Sequence, residues 1–394
     1  MSVVLQVTPH DPLVARDGRP FGAGQGTRMR GLPWPLPSVV AGSFRTALLK
    51  SSDGLDFSGN IPQRLMQINV AGVFPVHGGE LYLPAPNDAV AEPNADGKGI
   101  KVVHRVAPQP FTGGCDLPEE NLLPVMLSET QAHDDFKPAD SPAWWPISKY
   151  AEWLLGKDVC FDSTFLRSPL QSMRDHVALD ADRGAAEEGK IFASSNLNVT
   201  HLPRFGAKLD DDNIPFKERF VEVSLSARIA MPVSETELKL DNNFNIWHPL
   251  GGERRLVHWQ TLASEVWKCP EVIRNGIANQ RTTAIRMVLA TPAIFKHGWK
   301  PGWLTNGLEG ELKGVKLKLV GVSNGRWKAV SGWSLAPPLG PKPIRRMVPA
   351  GSVYFFEVLQ GDASQLADKM WLQSVSDNEQ EQRDGFGLAT WGTW

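Results

Sequence analysis

Proline and glycine break this chain so often that long helices are ruled out from the start. The 394 residues hold 31 prolines and 36 glycines, spread along the whole length. Proline removes a backbone donor and glycine opens left-handed turns, so this punctuation predicts many short elements joined by defined turns. Within that limit 394 residues suffice for two or three domains with a sizeable core. Hydrophobic residues make up 42% and charged ones 21%, a balance that fits a globular protein and excludes a disordered one. No apolar run reaches the roughly 18 residues a membrane span needs. The start, "MSVVLQVTPHDPL", lacks the basic segment and long apolar run of a signal peptide. Cys115, Cys160 and Cys269 are scattered and odd in number, which fits neither a disulfide framework nor a zinc site. The expectation is a cytoplasmic protein with no membrane contact, no metal and no cofactor.

Between the breaks, short periodic runs are readable. "VVLQV" alternates Val3, Leu5 and Val7 as a half-buried strand does. "PSVVAGSFRTALLK" predicts a helix with Ser38 as N-cap and Val40, Phe44 and Leu48 on one face. Gly42 inside it costs about 1 kcal/mol relative to alanine, which points to a close backbone approach. "PISKYAEWLLG" predicts a second helix, stopped by Gly156, and "SQLADKMWLQSV" a third. "MRDHVALDADRGAAEEGKIFASSNL" reads as two strands about a polar centre, a hairpin or flap. "FVEVSLSARIA" alternates Val221, Val223, Leu225 and Ile229 inward with Glu222, Ser224 and Arg228 outward. "IRMVLATPAIF", "GVKLKLVGV" and "VYFFEVL" read as further strands. Strands paired by turns with few helices give an α+β pattern in two halves. "LDDDNIPFKER" is the best linker, which places the domains at 1–212 and 213–394.

Net charge is −2, but it is unevenly spread. Residues 1–50 carry +4 and residues 281–346 carry +10, leaving −16 elsewhere. Such segregation can build a basic groove on an acidic body, or the lysines of "LKGVKLKLVG" can form the wet face of a strand. The stretch "RDGRPFGAGQGTRMRG" packs Arg16, Arg19, Arg28 and Arg30 among five glycines. Its spacing is not that of a dinucleotide loop, and Pro33, Pro35 and Pro37 prevent an immediate helix. No phosphate-binding Walker loop, zinc-protease helix or metal-ligand spacing of histidines occurs. Arginine forks do grip phosphates, and glycine-rich turns let backbone amides approach an anion. Seven of the fourteen tryptophans fall between Trp247 and Trp333, as base-stacking platforms or, more simply, as core.

Several stretches together resemble one family. "DPLVARDGRPFGAG" and "WPLPSVVAGSFRTAL" resemble the N-terminal signature of the third subunit of Cmr, the type III-B CRISPR effector complex, within the RAMP superfamily. "LYLPAPNDAV", the long hairpin, "PLGGERRLVHW", "LATPAIFKHGW", "GPKPIRRMVPAGSVYFFEV" and "GFGLATW" follow in the same order over nearly the whole chain. The resemblance implies two ferredoxin-like (RRM-like) domains in tandem with long loop and hairpin insertions. It implies a non-catalytic RNA-binding role in antiviral defence: gripping the 5′ repeat-derived tag of crRNA. The implied partners are the large polymerase-like subunit and a RAMP backbone subunit. By the same resemblance Arg16, Arg19, Ser38 and Arg45 are tag contacts on the N-terminal motif, with Arg28 and Arg30 beside them. Arg174 and His176 lie on the hairpin over the RNA, and Gly385 and Gly387 match a glycine-rich loop near its backbone. That loop is shorter here than is usual for the family.

Two rival functions carry different expectations. A metal-independent endoribonuclease that matures crRNA would use His176 to take a proton from a 2′-hydroxyl. A scaffold that binds only proteins would leave RNA untouched.

Overall fold

The computed structural model describes residues 2–394 apart from 18–28, 53, 54, 57, 98, 129–134, 236, 239, 280–282 and 335–338. The alternating start forms β1 (Ser2–Pro9) with Leu5 and Val7 buried, and Pro37–Lys50 forms α1. Val40, Phe44 and Leu48 are fully buried on its inner face, as their spacing predicts. The helix start differs from expectation. Leu36 is the N-cap and Pro37 opens the helix, so Ser38 sits inside the first turn and caps nothing. Gly42 also differs: it lies on the exposed face, and a Cβ built there would meet nothing within 4 Å.

The chain continues through β2 (Asn69–His77), β3 (Glu80–Pro84) and β4 (Trp144–Pro146) into α2 (Ile147–Leu154). Gly156, at φ +80°, ends that helix where the sequence predicts. The long hairpin is β5 (Leu170–Leu179) paired antiparallel with β6 (Ala186–Asn198). Then come β7 (Ser224–Ala230), β8 (Asn245–Pro249) and β9 (Leu256–Thr261). The first sheet has the order β8-β9-β1-β7-β2-β3-β4. Strand β7 lies antiparallel between β1 and β2, with Leu5 opposite Ala227, so β1 and β2 run parallel and α1 crosses between them.

The second half holds α3 (Glu271–Asn279), β10 (Ala284–Leu289), β11 (Glu309–Leu312) and β12 (Val315–Ser323). A second hairpin follows: its base is β13 (Lys328–Val330) and its tip pairs β14 (Trp333–Ser334) with β15 (Gly340–Pro341). It returns through β16 (Arg345–Met347), opposite β13, to β17 (Val353–Gln360). The chain closes with α4 (Ser364–Lys369), β18 (Gln373–Ser374), α5 (Glu379–Arg383) and β19 (Leu388–Thr393). The second sheet has the order β11-β12-β17-β10-β19-β18. Taken by position in the chain, the four central strands of each sheet stand fourth, first, third, second: β9-β1-β7-β2 and β19-β10-β17-β12. The α+β reading holds, with antiparallel sheets and few helices.

The expected boundary does not hold. Strands β7 to β9 complete the first sheet, so the sheets part between Thr261 and Ala284, and a cut at 212/213 runs through the first half. "LDDDNIPFKER" is an internal turn, tied by Arg219 Nη1 to the Leu209 carbonyl at 2.8 Å.

The face of the first sheet under α1 closes on its own cluster, which includes Leu5, Phe44 and Trp259. The opposite face, with Phe74 and Trp267, joins the core of the second sheet, where Met287, Phe356 and Trp391 lie. Arg228 falls on that covered face. It was expected to point outward into water, yet its Nη2 donates to the Leu372 carbonyl at 2.6 Å, and it lies 5.1 Å from the Trp267 ring centroid. Burial pushes its pKa down to about 10. Alternation assigns a residue to a face but does not say what covers that face.

At the junction of the halves, Arg286 of β10 pairs with Asp88, and both are fully buried. Trp153 Nε1 donates to Asp88 Oδ1 at 2.8 Å, and Arg286 also donates to the Trp153 carbonyl. Arg105 lies 3.8 Å from the centroid of the same indole.

One titration bears on the fold as a whole. His248 on β8 is buried, which, with Lys50 nearby, lowers its pKa from 6.5 to about 4. The folded chain therefore prefers the neutral imidazole, while the unfolded chain takes a proton below pH 6.5. This contribution is complete above pH 6.5 and is lost as pH falls toward 4. Glu235, held at about 2 chiefly by its hydrogen bond to Arg64, weakens the fold only below its ordinary 4.5. Thermal melts at pH 7 and about pH 5 are expected to differ less in His248→Gln than in the parent chain.

Candidate nucleic-acid interface

The interface begins where the N-terminal loop meets the long hairpin. Two arms of the loop, 13–17 and 29–32, pair with each other: Arg16 bridges Gly31, and the Leu32 amide donates to the Ala15 carbonyl at 2.9 Å. Both arms also grip β6. Leu13 and Leu197 exchange amide bonds at 2.9 and 2.7 Å, and the Met29 amide donates to the Ala193 carbonyl at 3.0 Å. On β5, Arg174 stands opposite Ser194 and Asp175 opposite Ala193. The pairings therefore bring the backbones of Arg16, Arg30, Arg174 and His176 into one neighbourhood, and the three arginines are exposed. Arg19 and Arg28 lie outside the described residues.

The His176 side chain is held within the hairpin. Its Nε2 lies 2.7 Å from Ser194 Oγ, and its ring stacks on Phe192 at 4.8 Å with the planes 13° apart. The hairpin exposes Leu170, Met173, Val177, Leu179 and Ile191 alongside Arg174, so it offers apolar contact as well as charge. Its other two cations, Arg183 and Lys190, pair with Asp180 and Glu187. Among the described residues, no three His, Cys, Asp or Glu side chains come together as a metal site requires.

Arg45, Gly385 and Gly387, expected at the RNA, are interior. Arg45 is buried: Nη1 pairs with Asp384 Oδ1 at 2.5 Å, and Nη2 donates to the Ile68 carbonyl at 2.7 Å. It ties α1 to the C-terminal loop rather than reaching a ligand. Gly385 is buried at φ +87°, and a Cβ there would stand 2.5 Å from the Val70 carbonyl oxygen. Gly387, at φ +72°, would bring a Cβ to 2.5 Å from Ser376 Oγ. The close approach that these glycines permit is to the protein's own backbone and side chains. Ser38 remains half-buried at the edge of a cleft beside α1.

The basic run 281–346 divides in the same way. Arg286 pairs with Asp88, Lys300 with Glu119, Lys316 with Glu309 and Arg345 with Glu381, mostly across long sequence separations. Lys316 is exposed on β12, so the wet-strand reading holds for that part. The second hairpin is the part that sequence reasoning left undivided. From Asn324 to Arg346 it carries five Lys/Arg and no acid. Trp327 and Trp333 are 52% and 64% exposed, and Arg346 sits 4.7 Å from the Trp327 ring centroid. Of the seven grouped tryptophans, Trp259 and Trp267 are core, so composition alone could not single out the exposed ones.

A family model for the CRISPR-associated protein Cas_Cmr3 matches residues 5–394. No curated protein matches the chain. Among solved structures, it is similar to a chain of the type III-B Cmr-beta complex bound to cognate target RNA, at 13% identity and TM-score 0.49, covering 98% of this chain and 96% of that one. A chain of the type III-B Cmr-beta complex with target RNA and AMPPnP is similar at 14% identity and TM-score 0.43, covering 89% and 86%. A chain of the Csm3–Csm4 subcomplex of the type III-A complex is similar at 12% identity and TM-score 0.34, covering 90% and 92%.

Proposed function

The chain belongs to the Cas_Cmr3 family of CRISPR-associated proteins, and on that footing we propose that it is a non-catalytic crRNA-holding subunit of a type III-B effector complex. Its ligand is the 5′ repeat-derived tag, and its protein partners are the large polymerase-like subunit and a RAMP backbone subunit. Each half is read as a ferredoxin-like domain, because both sheets place their central strands in the order fourth, first, third, second.

The observation that carries the RNA reading is the joining of the N-terminal loop to the long hairpin along β6. It gathers the exposed Arg16, Arg30 and Arg174 into one neighbourhood, near apolar side chains that suit unstacked bases. His176, bonded to Ser194 and stacked on Phe192, supports a positioning role for that ring rather than proton transfer.

The variant Arg16→Ala/Arg30→Ala/Arg174→Ala is expected to bind tagged single-stranded RNA on the order of ten- to a hundredfold more weakly at ~0.1 M salt. The slope of log affinity against log salt should fall by about 0.7 for each phosphate contact removed, or about 2 in all. Fluorescence anisotropy over a salt series measures both, and an unchanged slope overturns the assignment. Incubation of the purified chain with repeat RNA in chelator should give no cleavage. Site-specific cleavage that His176→Ala abolishes would make the chain an endoribonuclease instead.

A further inference from the structure

Gly42 presents a puzzle that the fold does not resolve. A glycine in the middle of a helix is unfavourable, and it usually persists because its backbone turns left-handed or because something packs against it. Neither applies here. Gly42 lies within the regular helix α1, and a side chain at this position would meet open space. That space is a cleft of about 360 Å³ lined by Ser38, Gly42 and Thr46 of α1 and, from the other half of the molecule, by Trp333 and Lys342. It adjoins a second cleft of about 710 Å³, which Val39, Gly251 and Trp333 also line and which reaches Arg16.

We propose that this cleft holds one unpaired base of single-stranded RNA against Trp333, with its flanking phosphates on Lys342 and Arg16, and that Gly42 keeps the space clear. Trp333 has 64% of its surface exposed at the tip of a hairpin, although burial in a core is the favourable place for an indole. An exposed indole facing a cleft is a stacking platform, and stacking tolerates any base because every base has a π-face. Lys342 lies at one end and Arg16 at the other, where Asp17 also lines the cleft, so the phosphate contacts rest on these two cations. Arg45 and Asp384, which also line the cleft, neutralise each other and leave that balance unchanged. Hydroxyls of Ser38 and Thr46 face the same space, although Thr46 Oγ1 already donates to the Gly42 carbonyl at 2.9 Å. The site thus extends the RNA-binding surface of the first half onto the second hairpin, and it rests on the RNA reading above.

The test separates the cleft from the rest of that surface. The probe is a mixed-sequence single-stranded RNA of about a dozen nucleotides, bound to the full chain and followed by anisotropy. Trp333→Ala is expected to weaken binding about tenfold, and Trp333→Phe much less, because a smaller ring still stacks. Replacing each nucleotide in turn by an abasic one should cost affinity at one position in the parent chain, and that cost should vanish in Trp333→Ala. Gly42→Gln is expected to raise the melting temperature, since it improves the helix, while lowering RNA affinity by obstructing the cleft. A Gly42→Gln chain that melts higher and binds RNA unchanged overturns the proposal. So does a Trp333→Ala chain with parental affinity when the triple arginine variant has lost binding; in that case the RNA reading stands and the cleft serves a protein partner. If neither variant changes affinity, the RNA reading itself falls.

Discussion

Asp88→Ala should be among the most destabilising single substitutions in this chain. It leaves the guanidinium of Arg286 buried without its counter-charge and removes the acceptor of Trp153 Nε1. Breaking a fully buried pair from one side costs about 3–5 kcal/mol, because the remaining ion cannot recover its hydration. Arg105 compounds the loss, since it stands over the same indole and its pKa is already lowered to about 10 by burial and by Arg286. Against a total stability of about 5–15 kcal/mol, the change consumes a large share. Urea unfolding followed by tryptophan fluorescence should show the midpoint falling sharply. Asp88→Asn, which keeps an acceptor, should fall less. The pair Asp88→Leu/Arg286→Met should recover much of the loss, because apolar replacements of a buried ion pair are often neutral. An Asp88→Ala midpoint within error of the parent would show that the pair is not a keystone of the junction.

Asp384→Ala is the second large effect. Asp384 accepts from Arg45 Nη1 and from Gln380 Nε2 at 2.9 Å, so its removal strands a buried arginine in the middle of α1. The expected cost is again about 3–5 kcal/mol. It differs from the first in what it loosens. Arg45 spans from α1 to the Ile68 carbonyl and to the Arg383 carbonyl at the end of α5, so hydrogen exchange should accelerate in α1 and in residues 383–388 before the distal strands respond. Equal acceleration across both sheets would contradict a local latch.

These residues also mark what a sequence conceals. The strands, α1, α2 and the long hairpin were legible because side-chain period and turn residues are local properties. The charged residues were legible only as charges. Arg45 is expected at the RNA because it falls on the N-terminal motif that carries the family resemblance. Its partner Asp384 stands 339 positions away and becomes a neighbour only through the fold. The positive run 281–346 reads either as part of a groove or as the wet face of a strand, and acids from distant segments neutralise two of its members, Arg286 and Lys300. Exposed cations remain on the second hairpin at Arg326, Lys328 and Arg346, and outside it at Lys296, Lys313 and Lys316. Gly385 shows the same limit: a positive φ and a close approach are predictable for a glycine, but the atom it approaches is not. The boundary near residue 212 failed for a related reason. A polar, aspartate-rich stretch resembles a linker whether or not the next strand returns to the sheet already begun.

That return has a consequence for how the chain is made. Strands β1 and β2 form the middle of the first sheet, but β7, which lies between them, is not complete until residue 230. At synthesis rates of about 5–20 residues per second, β1 waits on the order of ten to forty seconds for its neighbour to emerge. Throughout that interval Leu5 and Val7 lack their native cover from Ala227 and Leu225. A ribosome paused short of residue 224 therefore displays two unpaired edges at the centre of an unfinished sheet, a state that invites pairing with the nascent chain of a neighbouring ribosome.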